Sequence, residues 1–320
     1  MPPFITSEFY LWVSSCITPL TGLIVAGQET QKDRTMKPTA FEYHAPTTVN
    51  EALALLAEYA PNDGRILAGG QSLVPTMAFR LARPTHLIDI NKIVELEKLS
   101  VEDGALCIGA NVRHAKFHTP ACDGVLGNLL SEVVKSVAHY PIRQRGTFCG
   151  SLAHSDPASE WCMVAATLDA TMIVQSAAGE RVIPADEFFD TVMTTTLNDD
   201  ELLREVRIPL LSKDSVYGFQ EFSRRAGDFA ISMTLVTYRL EAGKIVDPHL
   251  GVGGAEDRPR RIAEAEEALA GQIPSDSIFQ AAADAAAAAI DPMEDHATNA
   301  QYRRELTETL VRRALENTVS

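Results

Sequence analysis

The sequence predicts an α+β protein in which two domains follow a compositionally distinct leader. Apolar residues alternate over short segments and recur at helical spacing over others, a pattern typical of mixed strands and helices. The 320 residues, 46% hydrophobic and 22% charged, suffice to bury the cores of two domains. The composition shifts near residue 36 and a new set of strand patterns begins near 212. We therefore predict a leader over 1–35, a first domain over 36–211 and a second over 212–320.

The leader carries no clear targeting or membrane signal. Its loosely apolar stretch, 9–27, is interrupted by Ser14, Ser15 and Pro19, and no basic residue precedes Lys32. A secretory signal needs a basic start, and a membrane span needs about 20 apolar residues. We predict that Met36 is the physiological start or that the leader is disordered, with a targeting role as the alternative. No integral membrane association is expected.

The first domain is predicted to open with a strand–helix–strand unit. The extended segment FEYHAP precedes the helical pattern VNEALALLAEY, which a cap at Thr47 or Thr48 starts, and the strand RILAGG follows. A short helix, SLVPTMAFRLA, is capped by Ser72 and leads to the buried strand THLIDI. These elements occupy 41–46, 49–59, 65–70, 72–82 and 85–90.

The remaining elements predict a mainly antiparallel sheet and then a small sheet with a helical bundle. Strands are predicted over 96–104, 105–110, 170–177, 180–185 and 201–209, with helices near 114–139 and 157–169. In the second domain, three strands are predicted over residues 218–225 and 231–254. Helices follow over 259–270, 276–290 and 297–318. The alanine-rich run within 276–290 predicts a tightly packed helix, because alanine strongly favours helix.

Charge and cysteine content exclude several functions. Lys and Arg number 28 against 43 Asp and Glu, and the resulting net charge of −15 repels nucleic acids and anionic lipid surfaces. Cys16, Cys107, Cys122, Cys149 and Cys162 are odd in number and never spaced as CxxC. An iron–sulfur cluster needs about four thiolates at tight spacing. We expect a soluble cytoplasmic protein with reduced thiols and no metal of its own.

Two glycine-containing segments predict a dinucleotide site. In AGGQSL, 68–73, a glycine pair between a strand and a helix lets the backbone approach a diphosphate, although such a pair is often simple turn punctuation. The segment RGTFCGSLAHSDPASEW, 145–161, predicts a second glycine-rich turn with the hydroxyls of Thr147 and Ser151, before a helix started by Asp156 and Pro157. Two such loops can hold one dinucleotide between them.

Five segments in order carry a family resemblance: AGGQSLVPTMAFRLARPTHLIDIN, IRQRGTFCGSLAHSDPASE, TLNDDELLREVRIP, FSRRAGDFA and AQYRRELTETLVRRALE. Over 36–318 the sequence resembles the FAD-binding medium subunit of molybdenum hydroxylases, of the aerobic carbon monoxide dehydrogenase and xanthine dehydrogenase type. The resemblance implies a two-subdomain PCMH-type FAD-binding domain. It also implies a C-terminal domain of the carbon monoxide dehydrogenase flavoprotein type, with a small antiparallel sheet and a helical bundle.

The resemblance further implies where the flavin lies, with its diphosphate between the two loops. One wall would be Leu67, Ala68, Gly69, Gly70, Gln71, Ser72 and Leu73, and the other Thr147, Phe148, Cys149, Gly150 and Ser151. Asp156 and Glu160 would lie near the ribityl and ribose region. Leu197 would pack on the isoalloxazine, and Asp228 and Phe229 would return to the ring. Core packing for Leu197 and a turn cap for Asp228 stay open as alternatives.

Two positions depart from the family pattern. Gln71 stands where many relatives have histidine, so a histidyl–flavin bond is excluded there and FAD is expected to be noncovalent. Cys149 replaces a glycine of the usual turn, and we interpret it as a packed small residue rather than a redox thiol, because no other cysteine is near in sequence. His154, Arg143 and Arg145 could contact the cofactor or serve only structural hydrogen bonds and ion pairs.

The resemblance implies an electron-transfer role without catalytic residues in this chain. A large molybdopterin subunit would hydroxylate the substrate, and a small iron–sulfur (2Fe–2S) subunit would relay electrons. This chain would carry them through FAD to NAD, a quinone or oxygen. The assembly would be a dimer of heterotrimers. A self-contained flavin oxidoreductase of the same fold and a flavin-free scaffold subunit are the alternatives.

Overall fold

The computed structural model describes residues 37–295 and 298–319, so the predictions for the leader lie outside the described residues. The strands are β1 (Glu42–His44), β2 (Gly64–Leu67), β3 (His86–Asp89), β4 (Leu99–Glu102), β5 (Ala105–Gly109), β6 (Thr171–Ser176), β7 (Gly179–Pro184), β8 (Phe189–Thr191), β9 (Thr194–Thr195), β10 (Leu202–Pro209), β11 (Ser215–Phe222), β12 (Ser232–Glu241), β13 (Lys244–Gly253) and β14 (Arg260–Arg261). The α-helices are α1 (Val49–Tyr59), α2 (Leu73–Ala78), α3 (Val125–Val133), α4 (Tyr140–Arg143), α5 (Phe148–His154), α6 (Glu160–Thr167), α7 (Ala185–Phe188), α8 (Ala263–Leu269), α9 (Asp276–Ala289) and α10 (Ala300–Asn317).

The N-terminal sheet is parallel, with strand order β1-β3-β2. Helix α1 begins with a capping box in which the Thr48 hydroxyl accepts from the Glu51 N–H at 3.2 Å. The buried side chains of Val49, Leu53 and Leu56 attach this helix to the core. The predicted strand–helix–strand unit is confirmed, and the turn after β2 leads directly into α2.

A five-stranded antiparallel sheet, β4-β5-β10-β6-β7, forms the second part of the first domain, as predicted. Helices α5 and α6 contribute an aromatic cluster to its core. The ring of Trp161 lies 4.9 Å from that of Phe148 and 5.2 Å from that of Phe117, measured between centroids. All three side chains are fully buried. This packing fixes the segment that follows residue 145.

The C-terminal sheet has four antiparallel strands, β11-β12-β13-β14, not the predicted three. The helix predicted from 259 begins at Ala263, because Arg260 and Arg261 first pair with β13 as a short strand. The alanine-rich helix α9 is confirmed and buries Ala282, Ala283 and Ala286. Among the residues described, no helix is long and apolar enough to cross a membrane.

Two other predicted helices are wrong in their bounds. The single helix near 114–139 is divided into a 3-10 turn, His114–His118, and the helix α3. Pro120 cannot continue a helix, and Gly124, with a φ of +85°, reverses the backbone before α3. The helix predicted from Asp156 begins at Glu160, because Ser155 has a left-handed φ of +54° and the Asp156 carboxylate accepts from the Ala158 N–H at 2.9 Å.

Candidate functional site

The two predicted loops touch each other through their backbones. A Cβ atom placed on Gly69 would lie 2.4 Å from the Arg145 carbonyl oxygen and 2.6 Å from the Gly146 Cα. Those separations leave room for hydrogen but for no side chain. The turn at 68–73 therefore lies directly against the start of the segment 145–151.

A chain of hydrogen bonds fixes this contact. The Asn91 amide donates to the Ala68 carbonyl at 2.8 Å, and the Arg113 guanidinium donates both to the Asn91 side-chain oxygen and to the Arg145 carbonyl. Arg113 thus joins one loop directly and the other through Asn91. Neither residue was singled out by the sequence analysis, although Asn91 ends the buried segment THLIDIN that belongs to the family pattern.

The first loop presents unused backbone donors. Gly70 has a φ of +70°, and the Gln71 side chain donates to the Gly69 carbonyl at 3.1 Å. The N–H groups of residues 69–72 donate no hydrogen bond to any part of the chain that the structure describes. Successive free N–H groups in a tight turn form an anion-binding concavity. This loop can therefore receive a phosphate without breaking an existing bond.

The second loop is the start of a helix, and the predicted glycine-rich turn at 147–151 is wrong in that respect. Thr147 caps α5, because its hydroxyl accepts from the Gly150 N–H at 3.0 Å. Phe148 and Cys149 bury their side chains in the core, so only their backbone atoms could face a ligand. Ser151, on the same helix, lines a pocket. Gly150 and the nearby hydroxyl residues favour a turn locally, but the buried Phe148 and Cys149 and the Thr147 cap stabilise a helix here.

Cys149 is packed as a small core residue. Its Sγ lies 3.4 Å from the Ile108 carbonyl oxygen, and only 2% of the residue is exposed. Burial raises the pKa of the thiol far above its usual range. These features do not suit a nucleophilic or redox thiol.

A pocket of about 240 Å³ opens beside the two loops. It brings together seven of the residues predicted to contact FAD: Gln71, Ser72, Ser151, Asp156, Glu160, Asp228 and Phe229. The other lining residues are His114, Val137, Ala138, Ile142, His154, Ser159 and Gly227. Leu197 is not among them and packs partly buried against the hydrophobic core. Leu67, Ala68, Gly69, Gly70 and Leu73 are half-buried in the first loop and its flanks, outside the pocket lining.

Burial keeps negative charge low in this pocket. It raises the pKa of Glu160 to about 8, with a further contribution from the charge of Glu221 on β11. The pKa of Glu221 is itself raised to about 7 by burial, and burial also raises the pKa of Asp156. An anionic ligand gains from protonated neighbours, because ionised carboxylates would repel it.

The basic groups near the pocket have mainly structural partners. Arg143 donates to the Val137 and Ala138 carbonyls, each at 2.7 Å, and so holds one pocket wall. His114 accepts from the Trp161 indole at 2.9 Å, and burial lowers its pKa to about 3, which keeps the ring neutral. Burial also lowers the pKa of His154. Arg145 is exposed.

Two protein-family models match most of the chain. Residues 39–211 match the family described as "FAD binding domain in molybdopterin dehydrogenase". Residues 217–318 match the "CO dehydrogenase flavoprotein C-terminal domain".

Individual relatives match over most of the chain. The 6-hydroxypseudooxynicotine dehydrogenase complex subunit alpha of Paenarthrobacter nicotinovorans is 40% identical over 88% of this chain and 95% of its own length. The caffeine dehydrogenase subunit beta of Pseudomonas sp. (strain CBB1) is 38% identical, with 88% and 95% covered. A solved structure of carbon monoxide dehydrogenase from Hydrogenophaga pseudoflava superposes with a TM-score of 0.84 at 35% identity, covering 88% of this chain and 98% of that chain. The chain therefore belongs to the family of FAD-binding medium subunits of molybdenum hydroxylases, of the carbon monoxide and xanthine dehydrogenase type, and is an oxidoreductase subunit.

Proposed function

We propose that the chain holds FAD noncovalently and serves as the electron-exit subunit of a molybdenum hydroxylase. The observation that carries the proposal is the direct contact between the loops at 68–73 and 145–151, together with the free N–H groups of 69–72. Such N–H groups suit a diphosphate, since they add donors and positive dipole without a counter-charge.

The residues of the site suit FAD in several ways. Backbone groups of 67–73 on one side and of Thr147, Phe148, Cys149 and Gly150 on the other would hold the diphosphate. Ser72 and Ser151 add hydroxyls beside it. Gln71 has no ring nitrogen that could bond to flavin, which supports noncovalent binding.

The pocket supplies the surroundings for the rest of the cofactor. Asp156 and Glu160 would face the ribityl and ribose hydroxyls, and Asp228 and Phe229 would face the ring. Phe229 is 66% exposed, which leaves an aromatic surface available for stacking. Leu197 remains a predicted ring contact, although it does not line the pocket.

Bound flavin supplies the ability to take electrons singly and to release them in pairs. The chain's own residues would bind, orient and partly shield it. We propose that the electrons come from iron–sulfur clusters of a small subunit and, before that, from molybdopterin in a large subunit, within a dimer of heterotrimers. NAD, a quinone or oxygen would be the final acceptor. Relatives named as subunits of dehydrogenase complexes support such an assembly.

Co-expression with the chains encoded beside it tests this proposal. We expect a complex that contains flavin, iron–sulfur and molybdopterin chains and shows the absorbance of bound flavin. A complex without flavin, or a chain that purifies alone without flavin, would refute it. Turnover of an organic substrate by the isolated chain would instead favour the self-contained oxidoreductase, and a flavin-free complex would favour the scaffold.

A further inference from the structure

Three side chains that bind metals in other proteins share one face of the parallel sheet. Glu42 and His44 are two residues apart on β1, so their side chains point to the same side. His86 on β3 is the direct neighbour of Glu42 in the strand pairing. The pairing of β1 with β3 therefore brings His86 next to Glu42 and His44, although His86 lies 44 residues after Glu42 in the sequence.

Their potential ligand atoms are already close to one another. The His44 Nε2 lies 3.1 Å from the His86 Nδ1, which in turn lies 3.7 Å from a Glu42 carboxylate oxygen. One ligand atom from each residue lies within 4.8 Å of the other two. Zinc bonds of about 2.0–2.2 Å in tetrahedral geometry would place ligand atoms about 3.3 Å apart. The two distances of 3.1 and 3.7 Å bracket this value, and a rotation of the exposed Glu42 side chain would bring its carboxylate into place.

Packing holds both imidazoles in place. The Tyr59 ring stacks on His86 with centroids 4.0 Å apart and on His44 with centroids 4.7 Å apart. Gly64 makes room for this tyrosine, because a Cβ at Gly64 would lie 2.8 Å from the Tyr59 Cβ. Rings fixed in advance lose little freedom when a ligand binds. The Glu42 side chain is 74% exposed, so an ion can enter from solvent.

We propose that Glu42, His44 and His86 bind one divalent transition-metal ion of the zinc class, separately from the flavin site. Two imidazoles and one carboxylate suit Zn²⁺, Ni²⁺ or Cu²⁺ better than Mg²⁺ or Ca²⁺, which take oxygen ligands. Water would complete the coordination. The net charge of −15 favours cation binding at this exposed position.

Binding requires a change of tautomer. A hydrogen bond across the 3.1 Å contact needs a proton on one of the two facing nitrogens. With metal, both facing nitrogens must offer lone pairs, so this proton moves to the other nitrogen of its own ring.

Calorimetric titration of the chelator-treated full chain with Zn²⁺ tests the site. We expect one equivalent to bind to the wild type. His44→Ala and His86→Ala should each weaken binding at least about 100-fold, because loss of a direct ligand exceeds the 10–100-fold effect of an outer partner. Glu42→Gln, at an exposed position, should weaken it by a smaller factor. His118→Ala replaces an exposed histidine outside the cluster and should leave binding unchanged.

Thermal melts of each variant show whether it is folded before titration. Absence of zinc binding by the folded wild type would overturn the proposal. Equal affinity in the wild type and a folded double variant, His44→Ala with His86→Ala, would also overturn it, as would an equal loss in the His118 variant. The flavin content of the same preparations reports on the proposed function separately.

Discussion

Gly69 is the residue on which the contact between the two loops depends. A methyl group there meets the Arg145 carbonyl oxygen at 2.4 Å and the Gly146 Cα at 2.6 Å. Both are backbone atoms, which cannot rotate away as a side chain can. Overpacking of this kind costs about 1–3 kcal/mol. We expect Gly69→Ala to push the loops apart and weaken FAD binding roughly tenfold or more.

Flavin retained per chain after gel filtration measures this effect. Gly104→Ala is the control for general backbone strain: its φ of +76° disfavours alanine, but a Cβ there meets nothing within 4 Å and the turn does not line the pocket, so flavin binding should be kept. The account is contradicted if the Gly69 variant keeps as much flavin as the wild type.

Glu160 should make stability depend on pH. Its pKa is 4.5 in an ordinary environment and about 8 when buried here, so the folded state keeps a proton that the unfolded state loses. Stability should therefore fall as pH rises from about 4.5 to 8 and then level off. Glu160→Gln removes this loss, so the variant should gain thermal stability relative to the wild type at pH 8.5 but little at pH 4.5.

Melting curves at both pH values test this expectation. Glu267→Gln, an exposed substitution on α8, should show no such pH-dependent gain. A Glu160 variant whose stability relative to the wild type is the same at both pH values would show that the buried carboxyl does not hold its proton.

The packing of Cys149 predicts slow reaction with thiol reagents. Its Sγ is buried in the core, and burial holds its pKa far above neutral pH. In the folded protein, mass spectrometry after alkylation should show Cys122, which is only half-buried, modified well before Cys149. Cys149 should react readily only after unfolding. Rapid alkylation of Cys149 in the folded chain would revive a redox interpretation.

At the scale of elements, α5 places the second loop against the first. Its cap depends on the bond between the Thr147 hydroxyl and the Gly150 N–H. Thr147→Ala should lower the free energy of unfolding by about 1 kcal/mol, since that is the usual cost of losing a hydroxyl cap. Thr147→Ser keeps the hydroxyl and should stay close to the wild type. Denaturant unfolding distinguishes them, and equal stability of all three proteins would show that the cap contributes nothing.

Elements with a strong periodic pattern can be predicted from the sequence. Elements that form only because of contacts with distant residues are predicted less well. Helix α1 has a capping pair and regular apolar spacing, so its predicted bounds agree with the structure. Helix α5 was missed because Gly150 and nearby hydroxyl residues favour a turn locally, whereas packing of Phe148 on Trp161 favours helix. The strand β14 exists only because β13 lies beside it. The sequence of residues 260–261 alone contains no pattern that indicates this strand pairing.

At the scale of the whole molecule, the pocket forms where the two predicted domains meet. Glu160 comes from the first and Asp228 from the second, and Glu221 on β11 affects the pKa of Glu160. The motifs predicted both loops, but the Asn91–Arg113 bridge between them depends on how distant segments pack. Asn91 and Arg113 are 22 residues apart in the sequence, and no local pattern indicates that they meet.

The most direct test of the central claim is a crystal structure of the chain with FAD bound. We predict that the diphosphate oxygens accept hydrogen bonds from the N–H groups of 69–72 and lie against the start of α5. The flavin should show no covalent bond to Gln71. A diphosphate bound elsewhere, with these N–H groups facing only solvent, would contradict the account.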